Sequence, residues 1–215
     1  MNRVKQIKKQ SKKEERYSIY LKSQYSWAKQ IIFDFLDFIN IRANFVYPKP
    51  WQKLGLNKHL KGRELTGVEV GVFKGRHSKC ILEKSMVKKL YCVDPYLPYF
   101  GYDITKCEEM AHKRLSKFGN KVVWIKKKSL NASKDIPNEL DFVYLDGDHS
   151  YEYVKKELEL YYPKLKKGGV LAGDDFYNLD AKDNYMNVAQ AVMEFAVKNK
   201  LELFIWSPDF WMFKE

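Results

Sequence analysis

From Thr66 onward, short apolar runs alternate with stretches in which apolar residues recur every three to four positions. Five runs have strand character: GVEVGV (67–72), LYCVD (90–94), KVVWIK (121–126), LDFVYLD (140–146) and GGVLAGDD (168–175). Helical spacing fills the gaps, to about Lys88, near 104–118 and at about 184–199. After the fourth run, Val154, Leu158, Tyr161 and Leu165 share one side of a helix. The final stretch, LELFIWSPDFWMFK (201–214), has the form of two strands joined at Ser207-Pro208. Strands alternating with helices predict an α/β fold, a mostly parallel sheet covered on both faces.

The pattern upstream is different. Residues 1–16 form a Lys-rich polar tail. Between 17 and 41, Trp27, Ile31, Phe35 and Phe38 fall on one helical line, with Ile32, Leu36 and Ile39 beside it. One or two amphipathic helices are expected, ended by the prolines of YPKPW (47–51). The chain therefore divides into a basic flexible tail (1–16), a helical extension or lid (17–63) and a body (64–215).

Charge supports this division. The net charge is +12, yet 15 of the 39 basic and 4 of the 27 acidic residues lie in residues 1–63, leaving the body nearly neutral. That distribution argues against a body that grips nucleic acid. The basic extension is compatible with peripheral membrane contact, or with docking on the body or on a second copy of the chain. Its most apolar piece carries Asp34 and Asp37 and is too short to span a bilayer. Cys80, Cys92 and Cys107 form no CxxC pair, which points to a reducing, cytoplasmic setting and away from a structural zinc site.

In parallel sheets ligands bind at the carboxyl ends of the strands, so the residues there are the chemical candidates. The first strand runs into Glu69-x-Gly71-x3-Gly75, where glycines admit a tight turn into a helix. The second ends in Asp94, placed to accept hydrogen bonds from ribose hydroxyls or to cap a turn. The fourth ends in YLDGDHSY (144–151) with Asp146, Asp148, His149 and Ser150, and the fifth in Asp174 and Asp175. Clustered carboxylates repel unless a cation holds them, and hard oxygens suit Mg²⁺ or Mn²⁺. Helix caps account for one or two of these residues but not for all.

Glu69-x-Gly71-x3-Gly75, Asp94, the block LDGDHSYEYVKKELELYYPKLKKGGVLAGDDF and the terminal strand pair together resemble a class I S-adenosylmethionine-dependent methyltransferase, over about residues 64–215. The D-G-D-H-S-Y block followed by G-D-D is similar to the metal-dependent, macrocin-type sugar O-methyltransferases. The resemblance implies a Rossmann-like sheet of seven strands, mostly parallel with the last antiparallel. It implies that Glu69, Gly71 and Gly75 line the methionine part of S-adenosylmethionine, that Asp94 binds its ribose, and that Ser129 lies near its adenine with Asp146 close by. It implies Mg²⁺ (or Mn²⁺) on Asp146, Asp174 and Asp175, and His149 or Asp148 as the base. The acceptor implied is a hydroxyl of a small molecule or glycan. Two other functions stay open: a metal-independent N- or O-methyltransferase, and a basic binding module for nucleic acid or a membrane surface built on a vestigial sheet domain.

Overall fold

The near-continuous apolar runs sit where a sheet covered on both faces needs them. A computed structural model describes residues 19–21, 49, 51–56, 60, 62–98, 101–176, 187–206 and 208–215. Its strands are β1 (Ile19–Leu21), β2 (Leu65–Val70), β3 (Val87–Val93), β4 (Val122–Ile125), β5 (Leu140–Leu145), β6 (Leu165–Gly173), β7 (Leu203–Trp206) and β8 (Asp209–Phe213). They form one sheet in the order β1-β7-β8-β6-β5-β2-β3-β4. The neighbours pair in parallel except at β8, which runs antiparallel to both β6 and β7. The seven strands expected from the sequence are β2–β8, and the Rossmann-like methyltransferase arrangement with its reversed last strand is present. β8 reverses because only two residues separate Trp206 from Asp209, too few for a parallel crossover.

The central strand β5, LDFVYL, is buried at every position, as expected of a strand with both faces covered. Its side chains alternate. Val143 and Leu145 join the core beneath α4 (Tyr151–Tyr161) and α5 (Asn187–Lys198). Phe142 and Tyr144 join the opposite core, with α1 (Arg76–Lys84), α2 (Ile104–Leu115) and a π-helical turn at Trp51–Leu56. Trp51 is fully buried in that second core, 5.0 Å centroid to centroid from Tyr144 and 5.7 Å from both Phe142 and His77.

At one point the extension departs from expectation. Ile19–Leu21, inside the segment expected to be helical, is a strand paired with β7. The unpaired edge of β7 offers backbone groups that local helix propensity cannot outbid. The tail and the rest of the expected 17–41 helix lie outside the described residues.

The feature that positions the site is the alignment of strand ends. One residue past each strand, the backbone still bonds sideways: Gly71 N–H donates to Val93 O (2.9 Å), Asp146 N–H to Val70 O (2.8 Å), Asp94 N–H to Ile125 O (3.3 Å) and Asp174 N–H to Leu145 O (3.1 Å). These bonds set Gly71, Asp94, Asp146 and Asp174 along a single sheet edge.

Candidate functional site

The glycine loop is shaped by the protein itself. Gly71 has φ +85°, and a Cβ there would lie 1.8 Å from the Asp146 carbonyl oxygen. Gly75, the N-cap of α1, has φ +67°, and a Cβ there would lie 3.2 Å from Ala111 Cα on α2. Between them, Val72 N–H (3.0 Å) and Phe73 N–H (2.8 Å) both donate to Asp94 Oδ2, while Tyr96 N–H donates to Oδ1 (2.8 Å). Asp94 therefore ties the glycine loop to the end of β3, and Oδ1, with one bond, keeps an acceptor position for a hydroxyl. The first turn of α1 has no side-chain cap, so its N–H groups have no side-chain acceptor.

Glu69 and Ser129 look inward. Glu69 is buried, and its Oε1 meets His77 Nδ1 at 2.9 Å. Trp51 donates its indole N–H to His77 Nε2 (3.3 Å), which leaves the ring proton on Nδ1, donated to Glu69. Burial pushes Glu69 up to about 8 and His77 well below the usual histidine range. Ser129, the first residue of α3 (Ser129–Ala132), donates to Glu157 Oε1 (2.5 Å), and its carbonyl accepts from Tyr161 OH (2.8 Å). Glu157 is itself buried on the apolar side of α4, and burial pushes it to about 8.

The acidic residues sort into two groups. Asp146, His149 and Asp175 each offer a donor atom, and these atoms all lie within 4.8 Å of one another. His149 stands between the carboxylates, Nδ1 3.1 Å from Asp175 Oδ2 and Nε2 3.5 Å from Asp146 Oδ1. Burial disfavours its charged form, but Asp146, then Asp175 and Asp174, outweigh that and raise it to about 9. Desolvation raises Asp146, and desolvation plus the charge of Asp174 raises Asp175 to about 6. Asp175 sits at φ +54°, which sends its carboxylate and that of Asp174 in different directions.

Asp174 belongs to the second group. It is ion-paired with Lys49, whose Nζ also donates to Tyr144 OH (2.6 Å) and lies 3.3 Å from Asp209 Oδ1. Burial alone would raise Asp174; Lys49 holds it below the usual carboxylate range. Asp209 is fully buried, and burial pushes it to about 8. The expected trio of Asp146, Asp174 and Asp175 is thus divided, with His149 standing where Asp174 was expected. Asp148 is turned to the backbone, its Oδ1 accepting from Ser150 N–H (2.9 Å) at the start of α4.

Sequence reasoning passed over Lys49, His77, Glu157 and Asp209. Glu157 had a legible sign: it lies three residues after Val154 and four before Tyr161, a charge on an apolar stripe. Lys49 and Asp209 had none, because only the folded sheet brings residues 49, 174 and 209 together.

With that geometry in view, comparison with known proteins identifies the class. The chain belongs to a methyltransferase-domain family, whose model matches residues 68–176, half of the chain. A protein of Acanthamoeba polyphaga mimivirus is 32% identical over 121 residues, 53% of this chain and 52% of that protein; the chain thus matches about half the length of this relative. A solved structure from Corynebacterium glutamicum has TM-score 0.59 at 15% identity, covering 87% of this chain and 97% of that one. The N-methyltransferase NodS of Bradyrhizobium japonicum has TM-score 0.57 at 14% identity, covering 85% and 99%. A TDP-rhamnose 3′-O-methyltransferase of calicheamicin biosynthesis has TM-score 0.56 at 13% identity, covering 88% and 96%. At these identities the likeness is one of fold. That fold agrees with the methyltransferase-domain family to which residues 68–176 are matched. Among the described residues, no helix is long and apolar enough to cross a membrane.

Proposed function

We propose that this methyltransferase moves the methyl group of S-adenosylmethionine to a hydroxyl of a sugar or other small glycan-type acceptor, with a divalent cation at the sheet edge. The observation that carries this is the Asp146–His149–Asp175 cluster beside the cofactor loop. Two carboxylates whose donor atoms lie so close together, with an imidazole beside them, fit a divalent ion such as Mn²⁺ or Mg²⁺ after small side-chain shifts. The ion would lower the pKa of an acceptor hydroxyl and fix its direction.

The chain's own groups supply the remaining parts. Gly71–Gly75 and the uncapped start of α1 receive the methionine end of the cofactor, and Asp94 Oδ1 accepts from a ribose hydroxyl. Asp146 and Asp175 would hold the ion. A cation between Asp146 and Asp175 would offset the carboxylate charge that raises His149, leaving a neutral imidazole to take the hydroxyl proton, a role its position in the cluster favours over Asp148, whose Oδ1 accepts from the backbone. Fixing acceptor oxygen, methyl carbon and sulfur in line lowers the barrier through positioning. Glu69 and Ser129 act behind the loop, through His77 and Glu157. A cytoplasmic protein with a small-molecule or glycan partner and no specific nucleic-acid partner completes this proposal.

A second function is favoured by a different observation. His149 and Lys49 already balance the carboxylates without any added ion, which suits a metal-independent transferase acting on nitrogen or oxygen. A screen of nucleotide sugars, glycans and amines with labelled S-adenosylmethionine, with and without EDTA, decides between them. Hydroxyl methylation abolished by EDTA and restored by Mn²⁺ is expected; full turnover in EDTA refutes the cation-assisted reaction.

A further inference from the structure

We infer that Lys49, supplied by the N-terminal extension, is a positioning residue that keeps Asp174 out of the cation cluster and so sets which ion the site accepts. This rests on the cation-assisted reaction proposed above.

Asp174 and Asp175 are consecutive and both lie at the carboxyl end of β6, so nothing in their sequence position separates them. The backbone does part of the work. Asp174 N–H is pinned to Leu145 O, and the positive φ of Asp175 turns the next carboxylate towards His149. Lys49 does the rest. Its side chain is 6% exposed and caged by Asp174, Asp209 and Tyr144 OH, so the ammonium is not a solvated charge that drifts. The cage is also incompletely satisfied: Asp174 Oδ1 and Asp209 Oδ2 are buried without a hydrogen-bond partner. A carboxylate held by one cation, with its other oxygen unmet, is poised to take another cation if the first is withdrawn.

Two residues away, Trp51 anchors the same segment in the core between His77, Phe142 and Tyr144, which fixes where the lysine enters. Lys49 is also followed by Pro50, and the residue before a proline is confined to extended backbone. With Asp174 committed to Lys49, two carboxylates remain to hold an ion, a sparse set for Mg²⁺. Freed, Asp174 would add a third carboxylate, and ligand charge count and hard oxygen donors both favour Mg²⁺.

The test is calorimetric titration of Mg²⁺ and Mn²⁺ into the full chain as wild type, Lys49→Arg, Lys49→Met and Lys49→Met/Asp174→Asn. Lys49→Met is expected to bind Mg²⁺ about tenfold tighter than wild type, Lys49→Arg to match wild type, and the double variant to lose the gain. A Mg²⁺ affinity unchanged in Lys49→Met, or a gain that survives in the double variant, overturns the inference. Should Lys49→Met fail to fold, Asp174→Asn alone decides. Mn²⁺ affinity equal to wild type supports the inference, and a roughly tenfold loss shows Asp174 to be a ligand and overturns it. Wild type binding neither ion contradicts the cation-assisted reaction. In that case a Mg²⁺ site that appears in Lys49→Met and vanishes in the double variant upholds the role of Lys49, and its failure to appear overturns it.

Discussion

Gly71 and Asp146 cross so closely that a methyl group on the glycine would overlap the aspartate's carbonyl oxygen, at 1.8 Å. The glycine loop and the acidic loop are thus built against each other. Backbone cannot move aside as a flexible side chain can, and φ +85° is itself unfavourable for alanine. Gly71→Ala is expected to cost roughly 4 kcal/mol or more, read as a lower urea midpoint or as loss of soluble protein. A loss under about 1 kcal/mol would show that the two loops are not in contact.

Trp51 separates packing from hydrogen bonding. Trp51→Ala empties a fully buried site and is expected to cost about 3–5 kcal/mol in chemical denaturation. Trp51→Phe keeps most of the ring contact but leaves His77 Nε2 without its donor, for a loss of about 1–3 kcal/mol. No measurable loss in Trp51→Phe would remove the Trp51–His77 hydrogen bond from the account.

His149 and Asp148 are distinguished by turnover and affinity measured together. With an acceptor in hand, His149→Ala is expected to slow methyl transfer about 10²–10⁴-fold. Asp148→Asn should change it little, because its carboxylate serves the Ser150 turn. If His149 acts on the proton, Mn²⁺ affinity falls less than tenfold in His149→Ala; a larger fall makes it a ligand instead.

Buried acids give stability a definite pH slope. Glu157 is raised by burial from 4.5 to about 8, so the folded state holds this proton more tightly than the unfolded chain. The group's contribution is complete below pH 4.5 and is lost as pH rises to about 8. Glu69 is raised over the same range, with the same sign. The thermal midpoint in EDTA should therefore fall across this window, and Glu157→Gln should fall less steeply. An identical slope in wild type and variant would contradict a raised Glu157.

Fold and site were legible to different depths. Period-two and period-3.6 patterns mark β2–β8 because each strand must fill both faces, and that constraint is local. Ile19–Leu21 was hidden because its strand exists only through the edge of β7. At the site, strand-end logic reached Asp94, Asp146 and Asp175, since a strand's last residue is visible in one dimension. It could not separate Asp174 from Asp175, because that separation depends on a lysine 125 residues away and a left-handed backbone angle. The glycines show the same limit. Their pattern suggested room for a ligand, whereas Gly71 makes room for Asp146 and Gly75 for Ala111.

The central claim is that the carboxyl edge of this methyltransferase sheet holds a divalent cation between Asp146 and Asp175. Calorimetric titration of Mn²⁺ into the chain loaded with S-adenosylhomocysteine, as wild type and as Asp146→Asn/Asp175→Asn, tests it most directly. One ion bound per wild-type chain, and none in the double variant, is predicted. No binding in wild type, or the same binding in both, would contradict it.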